Sequence, residues 1–277
     1  MRTLPVPAGV RAPGWRSDLG LHAALGSLDE VDEGWRCALP SVPENPFGNV
    51  LLLRGAPGRR TPEAVAARFE HHFGDTPVRT LCVGWDDPDA DVAELQPFVR
   101  AGFEVVDDVT LALEGTTLDP GHAAGPGGLT LRRLDLGRDA ARVLACELAV
   151  DAGRAAPYGD AALRRNLAWS AAVITLGGAE TGVGAWYGAE LDGALVATLG
   201  VVSVGGEGRL QSVGTRPAHR NRGIGRALLA WAWQDAAARF DLERLLLVTA
   251  RGGRAEQFYR RAGFERVGAN VGVLRGR

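Results

Sequence analysis

The chain is 277 residues long, 46% hydrophobic and 23% charged, with a formal net charge of −2 and a sequence pI near 6.2. That length holds one large or two small domains, and the apolar content suffices for real cores. The slightly acidic balance supplies no positive field toward nucleic acid or an anionic membrane, so neither is expected as a partner.

All 31 Lys+Arg residues are arginine. Without lysine the chain is neither a Walker-type nucleoside triphosphatase, whose lysine reaches the β/γ-phosphates, nor a lysine Schiff-base enzyme. Cys37, Cys82 and Cys146 are few, odd in number and far apart. They imply no disulfide framework and no metal knuckle, and they fit a reducing cytoplasm. The histidines show no ligand spacing, so no metal is expected. No run approaches the roughly 18 apolar residues of a membrane span, and the amino terminus lacks a long apolar stretch. Secretion is therefore not expected.

Residues 1 to about 46 are punctuated by Pro and Gly, with short helical patches that fix no element bounds. Thr61 to Phe73 reads as a helix, Arg79 to Val83 as a strand, Asp91 to Arg100 as a helix and Phe103 to Leu113 as a strand. Residues 114–128, rich in Gly, Pro and Thr, read as a linker. A strand follows at Leu129 to Arg133, then helices over Arg138 to Val150 and Asp160 to about Leu176. Strands come next near Gly184 to Gly188, at Ala194 to Val204 and at Arg209 to Thr215. Asp192-Gly193 and Gly205-Gly206 mark the hairpin turns between them. The order closes with a helix over Ile224 to Phe240, a strand at Arg244 to Thr249, a helix over Arg254 to Arg261 and a strand at Phe264 to Leu274.

Within this order lies a repeat. Arg100-Ala101-Gly102-Phe103-Glu104 recurs as Arg261-Ala262-Gly263-Phe264-Glu265, between elements of the same kind. The expectation is two tandem units, residues 1–113 and 129–277, separated by the linker at 114–128. In the first unit Phe98 stands where the second has Tyr259, and Gly58-Arg59-Arg60-Thr61-Pro62, with no R-x-x-G-x-G, precedes its first helix, so this unit reads as a degenerate copy that has lost catalysis.

The stretch Arg220-Asn221-Arg222-Gly223-Ile224-Gly225-Arg226 closes one strand and opens a helix. Its glycines let the backbone turn sharply and expose consecutive N–H groups, and the helix start adds partial positive charge. The arginines can form charge-assisted bonds to phosphate oxygens. Arg226, in the first helical turn, sits against the helix dipole unless an anion is present. The chemistry is that of a diphosphate cradle.

Arg220, Gly223 and Gly225 also resemble the acetyl-coenzyme A signature Q/R-x-x-G-x-G/A of the GNAT acetyltransferase superfamily. Ala255 to Phe264 resembles its A-x-x-x-Y-x-x-x-G-F segment. The resemblance covers about residues 129–277 and implies an α/β fold: two GNAT-like units, each a mixed, mostly antiparallel sheet flanked by helices. It implies acetyl-CoA as co-substrate, held by the 220–226 turn and by the backbone of Val213 and Thr215. The acetyl group would pass directly to a primary amine of a small molecule. Tyr259 would protonate the departing thiolate. Relatives place a Glu base on or near the strand before the cradle. Here Gln211, Ser212 and Gly214 occupy it, and Glu207 at its start is the nearest carboxylate, with a solvated turn residue as the plain alternative. Gly252 stands where many relatives carry Asn. These departures leave room for a non-catalytic acyl-CoA sensor or assembly module, and a protein N-acetyltransferase is the other enzymatic reading. Tyr158, Asp160 and Trp186 (with Trp169) are the candidates for acceptor contact, each with an ordinary loop or core role as its alternative. A monomer or homodimer is expected.

Overall fold

A computed structural model describes residues 3–58, 60–115, 118, 125–153, 159–176 and 182–277. The first half comprises α1 (Pro13–Ala23), β1 (Ser27–Val31), β2 (Gly34–Ala38), β3 (Val50–Arg54), α2 (Pro62–Phe73), β4 (Thr80–Asp86), α3 (Gln96–Arg100) and β5 (Glu104–Glu114). The second comprises β6 (Thr130–Leu134), α4 (Ala140–Asp151), α5 (Asp160–Ile174), β7 (Gly184–Leu191), β8 (Ala194–Val204), β9 (Glu207–Thr215), α6 (Ile224–Phe240), β10 (Arg244–Ala250), α7 (Arg254–Arg261) and β11 (Glu265–Gly276). Most of the linker at 114–128 lies outside the described residues.

These elements form two compact units that do not follow chain order. An inner unit gathers Met1–Leu4 and Leu113–Leu246, and a split unit gathers Pro5–Ala112 and Leu247–Arg277. The chain passes from the split unit to the inner unit between Ala112 and Leu113. The expectation that 129–277 stays together needs correction, because residues 247–277 group with the amino-terminal half. The physical reason is hydrogen bonding: β11 pairs antiparallel with β4 on one edge and with β5 on the other.

The split unit is a sheet in the order β1-β2-β3-β4-β11-β5. All its pairs are antiparallel except β3 with β4, whose connection runs through α2, as a parallel pair requires. The Val-Leu-Leu-Leu run of β3 is buried on both faces because the strand period of two sends alternate residues to opposite layers. Val50 and Leu52 pack with Trp15 and Leu19 of α1, while Leu51 and Leu53 pack with Val65, Phe69 and Phe73 of α2. α1 escapes sequence reading because Gly14 and Gly20 lower its propensity and no side chain caps its start. Packing forms it: a Cβ at Gly14 would stand 2.3 Å from Thr110 Oγ1.

The sequence repeat is a structural repeat inside this unit. Phe103 N–H donates to Phe98 C=O at 3.0 Å, and Phe264 N–H donates to Tyr259 C=O at 3.1 Å. Gly102 and Gly263 both adopt positive φ, +80° and +97°. The ring pairs match as well, edge-on at 5.6 Å for Phe98/Phe103 and 5.3 Å for Tyr259/Phe264.

The inner unit is a sheet in the order β10-β9-β8-β7-β6. Its pairs are antiparallel except β10 with β9. Asp192-Gly193 and Gly205-Gly206 take positive φ at both positions, the backbone of tight hairpins. β8 is buried almost throughout because helices cover both faces. α6 packs one side, where the Tyr187 hydroxyl donates to Asp235 at 3.0 Å. α4 and α5 pack the other, where a Cβ at Gly184 would stand 3.1 Å from Ile174.

Candidate functional site

The 220–226 turn lies in the inner unit between the end of β9 and the start of α6. Asn221 takes φ +60° and Gly223 φ +77°, so the chain reverses sharply before the helix. Ile224 is buried and anchors the first turn, whereas Arg220, Asn221 and Arg222 are exposed. The first backbone bond of the helix runs from Ala227 N–H to Gly223 C=O at 3.0 Å. Among the described residues the N–H groups of Asn221 through Gly225 have no partner, and no side chain caps the helix. A row of unpaired donors at an exposed helix start, with no acid in the first turn, is an anion site by construction. Arg220 turns its Nε–H back onto Thr215 C=O at 3.0 Å, tying the turn to the strand that precedes it.

That strand holds a feature the sequence did not announce. Gly214 pairs with Thr198 and Gln211 with Gly200, so Ser212 and Val213 together oppose Leu199. Ser212 takes φ +45°, an unfavourable region for a residue with a Cβ, at a β-bulge. The bulge brings Val213 to the surface, one of few large exposed apolar side chains. On its other edge β9 pairs with β10 only at Gly208 and Arg209. From Gln211 to Thr215 that edge has no β10 partner in register, the arrangement an extended ligand needs to add itself as a strand.

The other expected residues fare differently. Glu207 sits at the hairpin end of β9 and pairs with Arg244 at 2.7 Å. At the strand rise it stands about 20 Å from Val213, so the structure does not bring it to the cradle and the base assignment to Glu207 is corrected. Asp160 starts α5, half exposed, in an i,i+4 ion pair with Arg164, a placement its helix-start position explains. Tyr158 lies outside the described residues. Trp186 is 1% exposed, with its ring filling the space a Cβ would take at Gly200. Its role as an aromatic wall is therefore corrected to a core role, and Trp169 is buried too. Tyr259 lies in the split unit on α7, buried, with its ring edge-on to Phe258 and Phe264.

Sequence reading placed the α4 helix but passed over its Glu147. Glu147 is buried there with neither carboxylate oxygen hydrogen-bonded, and burial pushes its pKa up to about 7. Its neighbour Cys146 is raised as well, by burial first, with the Arg216 guanidinium opposing. A buried acid on a helix carries no sequence signal, because the burial is created by the sheet beneath.

Residues 183–266 match the acetyltransferase (GNAT) domain family. The match spans the bulged strand, the glycine turn and the Tyr259 segment. Solved structures share the fold at low identity. A functionally unknown conserved protein from Staphylococcus epidermidis is 14% identical over 90% of this chain and 92% of its own, with a TM-score of 0.72. A GCN5-related N-acetyltransferase from Kribbella flavida is 20% identical over 82% and 81%, at 0.55. A tandem GNAT protein from the clavulanic acid biosynthesis pathway is 19% identical over 79% and 72%, at 0.52. No curated protein matches the chain.

Proposed function

We propose that this chain, which carries a GNAT acetyltransferase domain, transfers an acetyl group from acetyl-CoA to a primary amine of a small molecule. The observation that carries the reading is the exposed turn at Asn221 to Gly225, whose unpaired amides match a pyrophosphate. The edge of β9 beside it, which β10 does not pair near Val213 and Thr215, offers N–H and C=O groups to the pantetheine arm, with the Thr215 C=O shared with Arg220 Nε–H. A backbone N–H there would polarise the thioester carbonyl and stabilise the oxyanion. The amine attacks the carbonyl carbon, the C–N bond forms, the C–S bond breaks and the thiolate leaves with a proton. Tyr259, matched by motif, is the donor in this reading; a phenol has a sensible pKa for that step at neutral pH. Three buried free thiols suit a reducing cytoplasm, where we place the protein.

Calorimetric titration with acetyl-CoA tests the cradle. Binding in the micromolar range is expected, and none at millimolar ligand would remove the reading. Arg222, exposed at the turn, supplies a graded check. Arg222→Ala should weaken binding about 10- to 100-fold, the worth of one charge-assisted bond. Free-thiol release across a panel of small amines then separates catalysis from sensing. A flat signal with intact binding would favour the sensor.

A further inference from the structure

α4 carries an acid that nothing balances among the described residues. Glu147 is 8% exposed, yet both oxygens lack a partner. An ionised carboxylate so placed is costly unless a ligand or proton answers it. The helix packs against β8, β9 and α5, and its closest approach to β9 lies beside the bulge. A Cβ at Gly214 would stand 3.0 Å from Val150 Cγ2 and 3.5 Å from Val150 Cβ. Glu147 precedes Val150 by three residues, on the same helix face, with Cβ atoms about 5–6 Å apart at that spacing. Its carboxylate is thus within a side chain's reach of the Ser212–Gly214 backbone.

The sheet face under α4 is unsatisfied too. Thr198 is paired with Gly214, and Trp186 lies across from Gly200 on the same face. Thr198 Oγ1 and Trp186 Nε1 are buried without partners. Two buried polar groups on this face, with the Glu147 carboxylate on the helix above, lie beside the bulge, where a polar ligand would partner them.

We propose that Glu147 takes the proton from the attacking amine. This rests on the reading of the chain as an acetyl-CoA-dependent transferase. As nitrogen bonds to the acetyl carbon, its N–H proton passes to the Glu147 carboxylate, and the C–S electron pair leaves on sulfur. Among the described residues the titratable neighbours are few. Cys146 and Asp151 share α4, with Asp151 accepting Gly159 N–H at 3.1 Å. Arg216, beyond β9, lies beside Cys146, and His219 follows it. β8 contributes only the Thr198 hydroxyl to this face, and the buried side chains of α5 are uncharged. With its pKa pushed up to about 7 by burial, Glu147 is a proton acceptor suited to neutral pH.

Water is an acceptor that is always present, so the test uses acetyl-CoA alone and measures thiol release against an enzyme-free blank. The intact protein should release thiol slowly, with an acidic limb near pH 7. Glu147→Gln should cut the rate on the order of 100-fold and abolish the limb, with Glu147→Asp recovering part of both. Acetyl-CoA affinity, read by calorimetry, should be the same in all three. A Glu147→Gln rate and limb equal to wild type, or no release above blank by a wild type that binds acetyl-CoA, overturns the base and leaves the cofactor reading standing. Failure of wild type to bind acetyl-CoA overturns both.

Discussion

Glu147 makes a claim on stability as well as on chemistry. Its folded pKa, about 7, lies above the ordinary value of 4.5, so between these pH values the folded chain holds more protons than the unfolded one. Stability therefore falls as pH rises through that window. Glu147→Gln removes the loss. Variant and wild type should melt together below pH 4.5, and above pH 7 the variant should be more stable, by at most about 3 kcal/mol. Thermal melts at both ends of the window check it, and a variant less stable at pH 8 would show the carboxylate to be satisfied. A stabilising substitution that costs activity is the mark of a site held against folding energetics. At this scale the sequence revealed Gly223 and its arginines because their conformational and charge demands are local. It hid Glu147 and Trp186 because burial belongs to the layer packed on them, and it hid the Ser212 bulge because one extra residue in a strand leaves no composition signal.

Among the elements, the two copies of the helix-turn-strand repeat allow a controlled comparison. Phe98 and Tyr259 fill the same position, their carbonyls accept the same bond, and their rings pack the same way. The fold at this position accepts Phe. Tyr259→Phe should therefore leave denaturant stability within about 1 kcal/mol of wild type, so that a fall in kcat at unchanged acetyl-CoA affinity reports the hydroxyl alone. Unchanged turnover, with chemistry rate-limiting, would remove Tyr259 as the acid. The glycines test the turn itself. Gly102→Ala meets no atom within 4 Å, so its cost is purely that of a positive φ, about 1–2 kcal/mol by chemical denaturation; no loss would mean the turn relaxes. Elements of this second half were legible almost to the residue because period and turn chemistry agree there. α1 and the strands before Gly55 were not, since glycines and short lengths weaken both signals.

Over the whole molecule, the decisive fact is the route of the last strand. Tandem duplication suggests two chain-ordered domains, and the repeat alone cannot reveal otherwise, because β5 and β11 follow matching turns. Pairing settles it, since β11 fills the place between β4 and β5. Its Val271 and Val273 are fully buried in the same cluster as Trp85 and Phe98. A fragment of residues 1–112 lacks that strand. It would leave two inner edges of backbone donors and acceptors open and an apolar layer without its centre, a state prone to edge-to-edge association. Such a fragment should show no cooperative thermal transition. Restoring residues 247–277 through a flexible Gly/Ser linker should bring the transition back, because the strand then has its partners within reach. A cooperative melt of 1–112 alone would mean the amino-terminal half completes its sheet unaided, and the final strand would then be dispensable for its folding.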